Sequence, residues 1–181
     1  MYKVLNNAGL LVLTSVVLIG NAQAEGFYFA GNAALFELSD KDIRGDVMLS
    51  APVGRFGAGI GEHFSAELRG GIGVGDDSLS VPGVGRVNVE LDRYYGAYLR
   101  GGMAATNVIY PYGIVGYNAF KIETSAPSLG KSSDTESDYA FGLGADITVA
   151  RDFILNLEYM NYFNKNRNDI EGITLGVAKR F

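Results

Sequence analysis

Residues 171–181 read EGITLGVAKRF. Ile173, Leu175, Val177 and Phe181 fall on one side of a period-2 segment, and Gly172, Thr174, Gly176 and Ala178 fall on the other. Alternation of this kind marks an extended strand with one apolar face and one small or polar face. A lone strand of that sort leaves its backbone unpaired, so its meaning depends on how many partners the rest of the chain supplies.

The other end of the chain sets the compartment. Lys3, the apolar run 8–20 (AGLLVLTSVVLIG) and Ala22-Gln23-Ala24 form the three parts of a secretory signal peptide, with Glu25 as the mature start. The domain expectation is therefore 1–24 signal peptide and 25–181 a single β-barrel domain. Loss of Lys3 and of no acid takes the formal charge from −5 to −6. An acidic chain without a basic stripe argues against nucleic-acid binding. With no cysteine there is no disulfide framework and no residue to carry a lipoprotein lipid. The mature part has no apolar run near the ~18 residues a spanning helix needs. A membrane-embedded form would have to be a closed barrel, the other structure that satisfies its own backbone.

Composition points the same way. Glycine occurs 25 times in 181 residues, roughly twice the usual ~7%. Tyrosine (11) and phenylalanine (10) are abundant, tryptophan is absent and there are 4 prolines. This is an all-β composition. The periodicity predicts eight strands, over 26–37, 46–59, 64–75, 86–103, 107–123, 138–150, 153–163 and 170–181. Their connections alternate: 39–44, 76–85, 124–137 and 164–169 are longer and polar, whereas 61–63, 104–106 and 151–152 are tight. Long connections at one end and short turns at the other are the pattern of a transmembrane meander. The expected fold is an eight-stranded antiparallel up-and-down transmembrane β-barrel.

Faces follow from the alternation. Tyr139, Phe141, Leu143, Ile147 and Val149 oppose Ala140, Gly142, Gly144, Asp146 and Thr148; Phe64, Leu68 and Ile72 oppose Glu67 and Arg69. In the fourth strand Val87, Val89, Leu91, Tyr95 and Leu99 oppose Asn88, Glu90, Asp92, Tyr94 and Arg100. The second strand has no clear phase. Alternation leaves open which face points inward, since a ligand-binding soluble barrel reverses the arrangement. Glycine and alanine beside ionic residues on the polar faces suit a narrow interior, and only 19% of residues are charged. Both favour apolar faces turned to lipid.

Residues 55–69 (RFGAGIGEHFSAELR), 111–120 (PYGIVGYNAF), 139–160 (YAFGLGADITVARDFILNLEYM) and the terminal Phe181 resemble the small outer-membrane β-barrel superfamily. That group includes the OmpA transmembrane domain, OmpX, the Opa proteins and the opacity-type porins. The resemblance implies an outer-membrane location and a wall surrounded by outer-membrane lipid and lipopolysaccharide. It also implies a C-terminal strand, Ile173, Leu175, Val177 and Phe181, read by the barrel assembly machinery. A monomer with a structural or surface-interaction role, its loops open to a surface ligand, is the first expectation. A narrow porin-like channel is the second, and a lipid-modifying enzyme the third.

Candidate chemistry is sparse. Glu67, Arg69, Glu90, Asp92, Arg100, Asp146 and Glu158 are expected to point inward as an ion-paired plug, because eight strands enclose little more than their own side chains. His63 is the single histidine; beside Glu62 and Ser65 it has triad residue types, but a triad is defined by geometry. No metal-ligand spacing, catalytic constellation or nucleotide loop is present, and no cofactor is expected. The acidic positions Asp76, Asp77, Asp134 and Glu136 belong to the long connections, and Asp138 begins the strand that follows.

Overall fold

The computed structural model describes residues 24–40, 46–81, 85–126, 130–165 and 168–181. Nine strands follow one another: β1 (Ala24–Asp40), β2 (Asp46–Ile60), β3 (Phe64–Ile72), β4 (Asp76–Val81), β5 (Gly85–Gly102), β6 (Ile109–Ala126), β7 (Gly130–Thr148), β8 (Phe153–Lys165) and β9 (Asn168–Arg180). All pairings are antiparallel; β9 returns to β1, and β3 pairs with β5, closing the ring. Both β3 and β4 lie along β5, one after the other, so they share one position and the barrel has eight. The break between them falls at Gly73, where a Cβ would sit 1.9 Å from the Leu91 carbonyl oxygen, and at Gly75, which has φ +83°.

The long connections differ from the sequence expectation. Residues 76–85 contain β4 and the start of β5, which pair Asp76↔Glu90 through Val81↔Gly85. Residues 124–137 are likewise the upper part of a β6–β7 ribbon, paired down to Ala126↔Gly130; only 127–129 lie outside the described residues. Part of the 39–44 connection and all of the leader except Ala24 also lie outside them.

The wall has the lipid-facing polarity. Phe29, Phe56, Leu68, Leu99, Val115, Phe141, Leu143, Leu157, Ile173, Leu175 and Val177 point outward and are exposed, while their strand neighbours Arg55, Glu67, Arg69, Arg100, Glu158 and Thr174 are buried inside. An apolar exterior of this extent is stable in hydrocarbon and not in water. Phase breaks at one place in β5. A register shift between Leu91 and Arg93 inserts an extra residue, so Val89 and Leu91 are buried above it and Tyr94, Tyr98 and Arg100 below it. The bulge corrects the expectation for the upper half of this strand: Glu90 is exposed, and Val89 and Leu91 face the lumen. In β2, Val47, Leu49, Ala51, Val53 and Arg55 face inward.

Candidate functional site: the lumen and the projecting sheet

The lumen is divided into two storeys. In the half near the tight turns, Arg55, Arg69 and Arg100 meet Glu67, Glu158 and Asp146, all buried. Glu67 is the hub. It accepts from Arg55 at 2.9 and 2.7 Å, from Arg69 and Tyr28, and lies 3.4 Å from Arg100. Arg69 continues to Glu158, and Arg100 to Asp146 at 2.6 Å. Tyr112 donates to Glu158 at 3.0 Å, and Asn156 Nδ2 donates to Tyr112 and Asp146 at 2.6 and 2.7 Å. The Arg100 guanidinium lies 3.6 Å from the Tyr112 ring centroid and that of Arg69 lies 4.5 Å from Tyr98. Three guanidiniums face three carboxylates, so the cluster is neutral. Its multiple hydrogen bonds meet the condition under which buried ions are tolerated.

Five of the seven residues singled out in the sequence come together here: Glu67, Arg69, Arg100, Asp146 and Glu158. Two do not. Glu90 lies on the outer face above the bulge, opposite Asp76 and Glu123, and Asp92 is bonded to Lys121 at 2.7 Å and Arg93 at 3.1 Å outside the lumen. The reason is the extra residue between Leu91 and Arg93, which reverses the alternation used to place them. Sequence reasoning missed Arg55, because β2 is apolar on both faces, and missed the hydroxyls of Tyr28 and Tyr112.

The half near the longer connections is apolar. Phe36, Tyr94, Phe120 and Tyr162, each at most 2% exposed, pack with ring centroids 4.8 to 5.7 Å apart. Leu49, Val53, Leu91, Met160 and Ile170 surround them. Beneath this stopper a cavity of about 320 Å³ opens at the turn end, lined by Tyr28, Arg55, Arg100, Asp146 and Asn156, with His63 at its mouth. The His63 carbonyl accepts from Gly102 N–H and Tyr110. Among the described residues no hydrogen bond links the imidazole to Ser65 or Glu62, so the triad geometry is not assembled.

At the opposite end, β4, β5, β6 and β7 continue beyond the ring as a four-stranded sheet. The pairing of β8 with β7 runs from Thr148 to Phe141 and stops, whereas β6 follows β7 up to Gly130. Asn118 marks the parting, with Nδ2 donating to Asp138 O at 3.2 Å and Tyr162 O at 3.0 Å. Above it, residues 130–137 are paired on one side only among the described residues. Asp77 ties the sheet to β2, accepting from Met48 N–H at 2.9 Å and Ser78 N–H at 2.7 Å.

Comparison with known proteins agrees with this architecture. The family model described as outer membrane protein beta-barrel domain matches residues 8–181. No curated protein sequence matches. Among solved structures, Ail, the attachment invasion locus protein of Yersinia pestis, crystallised with the heparin analogue sucrose octasulfate, is 14% identical, with TM-score 0.64 over 87% of this chain and 99% of that one. Neisserial surface protein A is 16% identical (TM-score 0.60; 86% and 97% covered). OprG from Pseudomonas aeruginosa is 15% identical (TM-score 0.59; 88% and 98% covered). At these identities the likeness is one of fold.

Proposed function

We propose that this chain, which belongs to the outer membrane protein beta-barrel domain family, is a non-enzymatic and non-conducting monomer that holds the β4–β7 sheet for contact with a partner at the cell surface. Its location is the outer membrane. The leader 1–24 is removed on export, and the barrel assembly machinery reads Ile173, Leu175, Val177 and Phe181. The tight turns and both termini then face the periplasm, and the sheet faces outward.

The observation that carries the reading is the edge of β7 over residues 130–137, unpaired on its outer side among the described residues and set on a barrel whose lumen holds an aromatic stopper above the ionic cluster. An unpaired strand edge offers a row of N–H and C=O groups to an extended segment of another chain. Charge selects the segment. Residues 37–46, 76–93, 121–138 and 164–171 hold fourteen acids and eight bases, whereas the rest of 25–181 holds six of each. The whole net charge of −6 therefore lies at the sheet end, which favours a basic segment and disfavours a sulfated polyanion of the kind bound to Ail. Neutrality of the lumen cluster and the close-packed aromatic stopper above it favour a plug over the channel reading.

The test uses barrel refolded in detergent, titrated with an eight-residue peptide alternating lysine and threonine. The reading expects saturable, salt-sensitive binding that is lost when alternate amides are N-methylated and weakened by Asp134→Lys with Glu136→Lys. Equal binding of the methylated peptide would reject edge pairing, and equal binding by the charge variant would reject the basic partner.

A further inference from the structure

One cavity serves neither the plug nor the sheet. The space of about 320 Å³ at the turn end reaches the size at which small-molecule pockets begin. The ionic cluster floors it and the aromatic stopper lies beyond, so it is blind at its inner end. Arg100, Asp146 and Asn156 form the floor, and Ile154 and Ala178, a cross-strand pair of β8 and β9, form an apolar collar. Both collar residues are buried. A polar floor under an apolar collar suits a compound with one charged or polar end.

Charge selects the sign of that end. The charged side chains lining the cavity are three bases, Arg55, Arg100 and Arg180, and two acids, Glu62 and Asp146. Within the cluster Asp146 accepts from Arg100 and Asn156, and Arg55 is held by Glu67. Arg180 has no such match. It follows the buried Ala178 by two residues and so takes the inward phase, whereas Lys179 between them lies outward, 4.9 Å from the Phe181 ring centroid. No ion pair joins Arg180 to Glu62 or to another acid among the described residues. Arg100 also has donors to spare. It spends three of its five N–H groups, on Tyr28, Glu67 and Asp146, and its Nε is buried without an acceptor among the described residues. A buried donor left over costs free energy that an acceptor brought against the guanidinium recovers.

We infer that this pocket binds a small organic carboxylate, its anionic end on Arg100 and its apolar body between Ile154 and Ala178, with Arg180 drawing anions to the mouth. Guanidinium and carboxylate match in charge and geometry. An apolar body in the collar gains contacts with both side chains. The compartment that supplies the acid rests on the orientation proposed above, which turns the mouth to the periplasm. The pocket itself does not, nor does it depend on the partner of the sheet, which stands at the opposite end of the barrel.

Barrel refolded in detergent, with isotope-labelled isoleucine and alanine methyl groups, is titrated with benzoate and followed by NMR. Benzoate should shift the Ile154 and Ala178 methyl signals saturably. Benzamide, a neutral compound of the same size and shape, should leave them in place at the same concentrations. Arg180→Glu should weaken benzoate binding about tenfold, the effect of reversing one charge near an anion at the protein edge. Ala178→Leu should abolish the shift at Ile154, because the longer side chain fills the collar. The mobility of unboiled protein on a gel checks that both variants fold. Unmoved methyl signals in the wild type, or an equal response to benzamide, would overturn the site. Binding that survives Ala178→Leu would overturn the pocket, and binding unchanged by Arg180→Glu would overturn the attraction at its mouth.

Discussion

Replacing Arg69 by methionine strikes the lumen network where its partners are least evenly served. Arg69 is buried and gives Nε to Glu67 and both terminal nitrogens to Glu158. Without it Glu67 keeps two bonds from Arg55, the hydroxyl of Tyr28 and the nearby Arg100. Among the described residues Glu158 keeps only the Tyr112 hydroxyl at 3.0 Å and Arg55 at 3.9 Å. The stranded charge is therefore Glu158, and an uncompensated buried charge costs about 3–5 kcal/mol. Removing the carboxylate as well, with Glu158→Leu, relieves that penalty and leaves the Tyr112 hydroxyl without its acceptor, which costs about 1–3 kcal/mol. The double variant should therefore be more stable than Arg69→Met alone by about 2 kcal/mol. Urea unfolding in lipid vesicles, followed by gel mobility of unboiled samples, gives all four corners of the cycle. A loss below about 1 kcal/mol for Arg69→Met, or additive single effects, would mean that the pair is not the coupled unit described here.

Three further outcomes follow from the same geometry. The backbone N–H groups of Met48 and Ser78 hold the Asp77 carboxyl below the usual carboxylate range. A carboxyl depressed in the folded state contributes above its unfolded value of about 3.9 and loses that contribution as pH falls through the folded value. Amide protection at Met48 and Ser78 should thus drop below about pH 4 in the wild type and stay flat in Asp77→Asn; flat wild-type protection would refute the clamp. Gly144→Ala should cost about 1–3 kcal/mol by overpacking, since its Cβ would lie 2.4 Å from the Tyr112 ring. Gly31→Ala, into open space, should be neutral or gain about 0.4–1 kcal/mol; equal effects in unfolding assays would contradict the inside–outside assignment. Deleting Phe181, a residue 69% exposed, should change unfolding in vesicles by less than about 1 kcal/mol yet sharply lower the folded yield in cells. A loss of equal size in both settings would make the residue structural rather than a signal for assembly.

The parts of this fold that were legible in the sequence are those where the two faces of a strand differ. Phe64, Leu68 and Ile72 against Glu67 and Arg69 fix β3, and Ile173, Leu175 and Val177 against Thr174 and Gly176 fix β9. Reading fails where the contrast vanishes. In β2 the upper lumen is as apolar as the lipid, so Val47, Leu49 and Val53 inside match Met48, Pro52 and Phe56 outside, and Arg55 goes unseen. The β6–β7 ribbon fails for the opposite reason. Both of its faces meet water, and its polar residues read as a loop although they pair through Ala126↔Gly130. The third failure is the β5 bulge, one extra residue that reverses every assignment above it and removes Glu90 and Asp92 from the lumen.

A stopper of Phe36, Tyr94, Phe120 and Tyr162 above the ionic cluster should leave the lumen without a conducting path. Conductance of the refolded protein in a planar bilayer tests it most directly. The wild type should show no current steps above leak across physiological voltages. Stable ohmic steps with defined ion preference would contradict it and make the chain a channel.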